Sequence, residues 1–115
     1  EGAQALSAHL ARLGRPVELV LGVLGDKDYR PMLAELSKVS RALYLVKPRS
    51  PRALPPEQLL GLVPEGVTAR AFGSVAEALQ AAGQAAAQAG GQVVVAGSLY
   101  LVGEARELLG KAARP

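Results

Sequence analysis

Residues 17–33 read VELVLGVLGDKDYRPML, and this stretch decides the fold. Its first half, VELVLGVL, is a continuous apolar run of strand length, which is typical of a strand covered on both faces in a parallel sheet. Its second half crowds three charged residues together and then reaches Pro31, which suits the first turn of a helix. The stretch therefore predicts a strand that passes directly into a helix.

The same alternation of strand and helix patterns continues along the chain. Further strands are predicted at 42–46, 67–72 and 92–97. Helical spacing or helix start and stop signals mark segments 3–13, 31–39, 57–62, 74–89 and 99–109. Strict alternation favours an α/β fold with three layers, in which a mainly parallel sheet carries helices on both faces.

Two local signals add detail to this prediction. Ser74 and Glu77 fit a capping box, in which the serine caps a backbone N–H and the glutamate reaches back. Residues 47–56 contain four prolines, which predicts a stiffened loop.

Length and composition limit the function classes. With 115 residues, 50% of them hydrophobic, the chain is expected to form one globular domain. The net charge of +3 comes without a basic run or interleaved aromatic residues, so we expect no nucleic-acid partner. The apolar runs are too short to span a bilayer, so no membrane partner is expected and the cytoplasm is the predicted compartment. No cysteine is present for disulfides or thiolate chemistry.

Polar residues collect where two of the predicted strands end. In open α/β sheets, ligands bind at the carboxyl ends of the strands. The first strand is followed by GDKD at 25–28, and the last strand is followed by GSLY at 97–100. We treat these two segments as the candidate binding corners.

Two interpretations of the first corner are open. The aspartates Asp26 and Asp28 can cap the following helix in a solvated turn. Alternatively, Lys27 meets an anionic group of a ligand while Asp26 or Asp28 holds the ammonium by an ion pair. Capping needs only one of the three charges, which is the argument for a binding role.

The second corner also has two interpretations. Ser98 follows Gly97 at a strand-to-helix turn, where a hydroxyl and free backbone N–H groups at a helix start suit a carboxylate or phosphate. The same serine can instead be a simple N-cap. Tyr100 can serve as an apolar anchor for the helix on the sheet.

No catalytic or metal-binding set is visible in the sequence. The glycine-rich nucleotide fingerprints and the nucleophile elbow are missing. The only histidine, His9, lies on the polar face of a predicted helix, so no triad or metal cluster can form around it. We therefore predict a ligand-touching domain with no catalytic residue and no metal ligand of its own.

Three motifs together resemble one family. Segments 22–33 (GVLGDKDYRPML), 51–59 (PRALPPEQL) and 97–109 (GSLYLVGEARELL) are similar, in matching order, to the C-terminal domain of folylpolyglutamate and dihydrofolate synthases, members of the Mur ligase superfamily. In that family an Asp-Gly-Ala-His-Asn-Pro motif that contacts ATP precedes the domain, and residues 1–4 fit the positions just after it. The resemblance thus implies a Rossmann-like C-terminal lobe, residues 1–115, of a larger ligase whose central ATPase domain lies upstream.

The resemblance implies a reaction as well as a fold. ATP, with Mg²⁺, would phosphorylate the terminal carboxylate of a folate or dihydropteroate, and L-glutamate would attack the acyl phosphate. Ser98 would contact a glutamate carboxylate, Lys27 would face an anionic group, and Asp26 or Asp28 would orient the lysine or the amine. Gly97 and Tyr100 would support the second corner.

The resemblance leaves competing functions to test. A stand-alone module that binds a small ligand or acts as a regulatory domain is the alternative from another class. A Mur-type ligase of cell-wall precursors is disfavoured, because GDKD with GSLY points to the folate branch. If the ligase interpretation holds, the isolated domain should be inactive and bind no cofactor.

Overall fold

A computed structural model describes residues 2–25, 28–97, 102–103, 105–106 and 108–109. The four helices with named bounds are α1 (Gly2–Leu13), α2 (Arg30–Val39), α3 (Pro56–Leu60) and α4 (Val75–Ala89). The strands are β1 (Val17–Gly22), β2 (Ala42–Leu45), β3 (Thr68–Ala71) and β4 (Gln92–Gly97). The described residues after β4 are helical. The predicted order of elements is confirmed.

The four strands form one parallel sheet in the order β3-β2-β1-β4. The chain runs outward from β1 to β2 and β3, and it then returns to the other side of β1 as β4. Helices lie on both faces, so the predicted three-layer α/β fold is confirmed.

Each face of the sheet has its own apolar core, because alternate residues of a strand point to opposite faces. On one face, α1, α2 and α3 supply the buried leucines Leu10, Leu33, Leu36 and Leu59. On the other face, α4 supplies Val75, Ala78 and Ala82, and Ala105 joins them. Between these layers β1 and β2 are buried along their whole length, as their apolar sequence predicts.

Helix α4 begins and ends as its sequence indicates. The Ser74 hydroxyl oxygen accepts the Glu77 N–H at 3.1 Å, and the hydroxyl lies 3.2 Å from the Glu77 carboxylate, to which it donates. The glutamate therefore reaches back, as predicted, and its partner is the serine side chain. Gly90 ends the helix in the left-handed conformation at φ 68°.

The amino ends of β1 and β2 carry a polar cluster in which the exposed Arg41 meets the buried Glu18 and Tyr44, and which sequence analysis missed. Glu18 is fully buried, although it is a charged residue within the segment that the sequence presents as a continuous apolar run. Its carboxylate accepts hydrogen bonds from Arg41 Nε, from Arg41 Nη2 at 2.7 Å and from the Tyr44 hydroxyl at 2.6 Å. We call these three residues the polar cluster.

Charge pairing inside the polar cluster sets its protonation. Burial by itself would raise the pKa of the Glu18 carboxyl, but hydrogen bonds from Arg41 and Tyr44 and the guanidinium charge hold that pKa below its ordinary value. Burial, together with the bond to Glu18, raises the pKa of the Tyr44 hydroxyl. The cluster is thus an ion pair with a neutral tyrosine.

Candidate functional site

The carboxyl ends of β1 and β4 lie side by side. Gly22, the last residue of β1, is the register partner of Gly97, the last residue of β4. The helix that follows β1 packs on one face of the sheet, and the described helical residues after β4 pack on the other face, so the edge between these strands is the topological switch point at which open α/β sheets bind ligands. Both candidate corners begin at this edge.

The structure describes two of the six predicted site residues, Asp28 and Gly97. Asp26, Lys27, Ser98 and Tyr100 lie outside the described residues, and their predicted roles stay predictions. Asp28 is exposed, and its Oδ1 accepts the Arg30 N–H at 3.4 Å, a long hydrogen bond at the start of α2. The N-cap position of α2 is Tyr29, one residue after Asp28, so this contact leaves both interpretations of the first corner open.

Gly97 is a glycine for a steric reason. Its φ is +119°, a conformation that residues with a side chain rarely adopt. A Cβ at this position would lie 1.8 Å from the carbonyl oxygen of Gly22. The two backbones thus approach each other so closely at the switch point that only glycine fits at the last position of β4.

Gly22 makes room for a proline from the next loop. A Cβ on Gly22 would lie 2.9 Å from Cγ and Cδ of Pro48 and 3.0 Å from the Val46 carbonyl oxygen. Pro48 is itself fully buried. Its ring therefore fills the space in which a residue at position 22 would place its side chain, and the pair packs the end of β1 against the loop after β2.

The loop after β2 also holds the chain that leaves β1. We call residues 48–54 the brace. Gly25 donates its backbone N–H to the Arg52 carbonyl at 2.8 Å, and Leu54 donates to the Val23 carbonyl at 3.0 Å. This short antiparallel pairing ends β1 at Gly22, earlier than its apolar sequence predicts.

The sequence contains signals of both parts of this contact, but it does not show that the two parts pack together. The four prolines of 47–56 predicted a stiff loop, and Gly22 interrupts an apolar run. What the sequence does not show is that the two features meet in space. Among functional candidates, the brace is the element that sequence reasoning missed at this edge.

The described part of the chain offers little else that could act as a catalytic or metal centre. Within it, no three His, Cys, Asp or Glu side chains are grouped so that they could hold a metal ion. His9 is exposed on α1, as predicted. Among the helices described, none has the length and apolar character needed to cross a membrane.

Comparison with known proteins establishes the family. Residues 1–99 match the family model for the Mur ligase glutamate ligase domain. The chain therefore belongs to the Mur ligase C-terminal domain family, as its motifs suggested.

Individual relatives point to the folate branch of this family. The chain is 35% identical over 111 residues to folylpolyglutamate synthase of Lacticaseibacillus casei, covering 95% of this chain and 24% of the relative. It matches E. coli FolC in complex with DHPP and ADP with a TM-score of 0.85 and 33% identity, over 97% of this chain and 27% of FolC.

A further match is a bifunctional folylpolyglutamate synthase/dihydrofolate synthase with Mn, AMPPNP and L-glutamate bound. Its TM-score is 0.73 and its identity 28%, over 94% of this chain and 26% of that one. The chain thus spans about a quarter of the length of the relatives it matches.

Proposed function

We propose that this chain is the lobe that helps to seat L-glutamate in an ATP-dependent ligase acting on folate or dihydropteroate. One observation carries the proposal. In a domain of the glutamate ligase family, the ends of β1 and β4 are paired at the switch point, Gly22 beside Gly97, and both polar corners depart from there.

The relatives support the choice of substrates. E. coli FolC was solved with DHPP and ADP, and the bifunctional relative with AMPPNP and L-glutamate. In the proposed reaction the substrate carboxylate takes the γ-phosphoryl group of ATP, which leaves ADP and an acyl phosphate. The glutamate amine then attacks the acyl carbon, so that an amide forms and inorganic phosphate leaves.

The two corners would contribute binding rather than bond making. The Ser98 hydroxyl and the backbone N–H groups at the following helix start would donate hydrogen bonds to a glutamate carboxylate, because that end of a helix favours negative charge. Lys27 would face an anionic group of substrate or nucleotide, and Asp26 or Asp28 would orient the lysine or the incoming amine. Gly97 and Tyr100 would hold the second corner in place.

Nucleotide and metal chemistry would come from outside this chain. Mg²⁺ prefers carboxylate and other oxygen ligands, and the described residues bring no such cluster together. When bound, the ion would offset charge on the phosphates. The proposed place of this lobe is on the opposite side of the cleft, where closure would bring its corners to the substrate.

Kinetics of the full-length protein test the proposal. Ser98→Ala and Lys27→Ala should each raise the KM for glutamate about tenfold, because each removes a charge-assisted contact to the substrate. The KM for ATP should change by less than about threefold. Steady-state assays with glutamate and ATP varied separately measure both constants.

Two controls lie away from the carboxyl edge. Lys38 is exposed on α2, where it forms an ion pair with Glu35. Ser40, at the end of that helix, donates its hydroxyl to the Leu36 carbonyl. Lys38→Ala and Ser40→Ala should leave the KM for glutamate unchanged. Unchanged glutamate kinetics in both corner variants would refute the site assignment and favour the stand-alone module.

A further inference from the structure

The brace is rigid within itself. Ala53 donates its backbone N–H to the Ser50 carbonyl at 3.1 Å, which closes a four-residue turn with Pro51 at its second position. Ser50 also donates its N–H to the Pro48 carbonyl at 2.8 Å, and its hydroxyl oxygen accepts the Arg52 N–H at 3.2 Å. Proline further restricts its own φ and the residue before it, so little backbone freedom is left.

Both ends of the brace are anchored in the body of the domain. At one end the buried ring of Pro48 packs on Gly22, at the end of β1. At the other end the Leu54 side chain packs against the core beneath α1, α2 and α3. Because both of its ends are fixed to the domain, the brace also fixes the position of the segment to which it is hydrogen-bonded.

That segment is the first half of the loop between β1 and α2. Two backbone hydrogen bonds tie Val23 and Gly25 to the brace, and a Cβ on Gly25 would lie 3.3 Å from the Leu54 side chain. Beyond it, the N-cap residue of α2, Tyr29, makes no side-chain capping bond, and Asp28 Oδ1 accepts the Arg30 N–H at 3.4 Å. The brace thus holds the first half of this loop.

We propose that the brace is a positioning element for glutamate binding: through Pro48 on Gly22 and its bonds to Val23 and Gly25, it fixes the start of the β1–α2 loop at the switch point. This inference rests on the proposed function. The brace itself touches no substrate, and it acts through the loop that it holds. Its loss should weaken glutamate binding while the chemistry and the ATP site persist.

The main test is Gly22→Ala in the full-length protein. The new methyl group would press on the Pro48 ring and displace the brace from β1. We expect the KM for glutamate to rise about tenfold, with the KM for ATP changed by less than about threefold. Assays run well below the unfolding temperature of the variant separate this effect from loss of folded protein.

A second substitution supplies the rescue, and a third supplies the control. Pro48→Ala removes the ring that the new methyl group meets, so the pair Gly22→Ala with Pro48→Ala should bind glutamate better than Gly22→Ala alone. Gly83 lies exposed in α4, where a Cβ would meet nothing within 4 Å. Gly83→Ala should leave all kinetic constants unchanged.

A milder variant tests the same inference if Gly22→Ala fails to fold. Pro51 is exposed in the turn of the brace, and Pro51→Gly loosens that turn without introducing a clash. It should raise the KM for glutamate about threefold and speed hydrogen exchange of the peptide that contains Gly25. The Gly25 amide reports on the brace directly because its acceptor is the Arg52 carbonyl.

The outcomes separate this inference from the proposed function. If Ser98→Ala and Lys27→Ala raise the KM for glutamate but Gly22→Ala and Pro51→Gly do not, the positioning role is wrong and the site assignment stands. If none of these four variants changes the KM for glutamate, both the site assignment and the positioning role are wrong. Faster exchange at Gly25 together with a raised KM in Pro51→Gly supports the inference.

Discussion

The two edges of the sheet use polar residues in opposite ways. At the amino edge, Glu18 is fully buried and receives hydrogen bonds from Arg41 and Tyr44. At the carboxyl edge, the last residues of β1 and β4 are glycines, and Asp28 stands exposed on the loop beyond. At the amino edge a buried carboxylate is bonded within the protein, whereas the carboxyl edge brings two backbones together and places charge in solvent.

This difference indicates which edge can serve a ligand. The buried Glu18 carboxylate is bonded within the protein and lies out of reach of a ligand. Exposed charges beside a switch point lie within reach of one. Substitutions at the amino edge should therefore change stability alone, and substitutions in the corner loops should change glutamate kinetics. Three variants test how far this separation holds.

The largest effect is expected for Gly97→Ala, where the carboxyl edge is also structural. The new methyl group would overlap the Gly22 carbonyl oxygen, so we expect the unfolding of this domain to cost about 4 kcal/mol less free energy. Gly14→Ala is the matched control, because Gly14 also has a positive φ of 67° but open space around it. It should cost only about 1 kcal/mol. Urea denaturation followed by circular dichroism measures both, and equal losses would contradict the close-approach argument.

Glu18→Gln is expected to give the next largest effect, at the amino edge. At neutral pH the loss of the buried charge should destabilise the domain by about 2 kcal/mol, since Arg41 is 46% exposed and recovers part of its hydration. The KM for glutamate should not change. A raised KM in this variant would break the separation between the two edges.

The sign of the pH dependence follows from the lowered pKa of Glu18. Its folded-state pKa lies below the unfolded value near 4.5, so its contribution is complete above that pH and is lost as the pH falls through the folded pKa. The stability difference between the native protein and Glu18→Gln should therefore shrink below pH 4.5. Thermal unfolding measured from acidic to neutral pH tests this.

The smallest effect is expected for Ser74→Ala, which compares two serines that both follow strands at the carboxyl edge. Ser74, like Ser98, follows a strand and precedes helical residues, but its hydroxyl is committed to Glu77. Its loss should cost about 1 kcal/mol of stability and leave glutamate kinetics unchanged. If Ser98→Ala behaves in the same way, Ser98 is an N-cap and the second corner binds no carboxylate.

Most elements could be predicted because each depends on local pattern. The apolar run of β1, the capping signal at Ser74 and the glycine after α4 are visible within a few residues of sequence. Their order alone favoured a parallel sheet, and the structure confirms it.

The parts that could not be predicted depend on contacts between distant segments. Glu18 is a charged residue in an apolar run, and only the fold shows that Arg41 and Tyr44 meet it. In the same way, the sequence does not show that Pro48 packs on Gly22. For the corners themselves, the residue types suggested a site, whereas the adjacency of β1 and β4 required the strand order.

The pairing of β1 with β4 has a consequence for how the protein is made. β1 can pair with β2 soon after both have been synthesised, but its other edge stays open until β4 and the long crossover through α4 exist. Contacts between residues so far apart in sequence form slowly, because a large loop must close first. We therefore expect the pairing of β1 with β4, at whose end the two glycines meet, to form after the pairing of β1 with β2. Until then one side of the apolar strand β1 lacks its hydrogen-bonding partner, and an unpaired apolar strand edge is prone to pair with other chains.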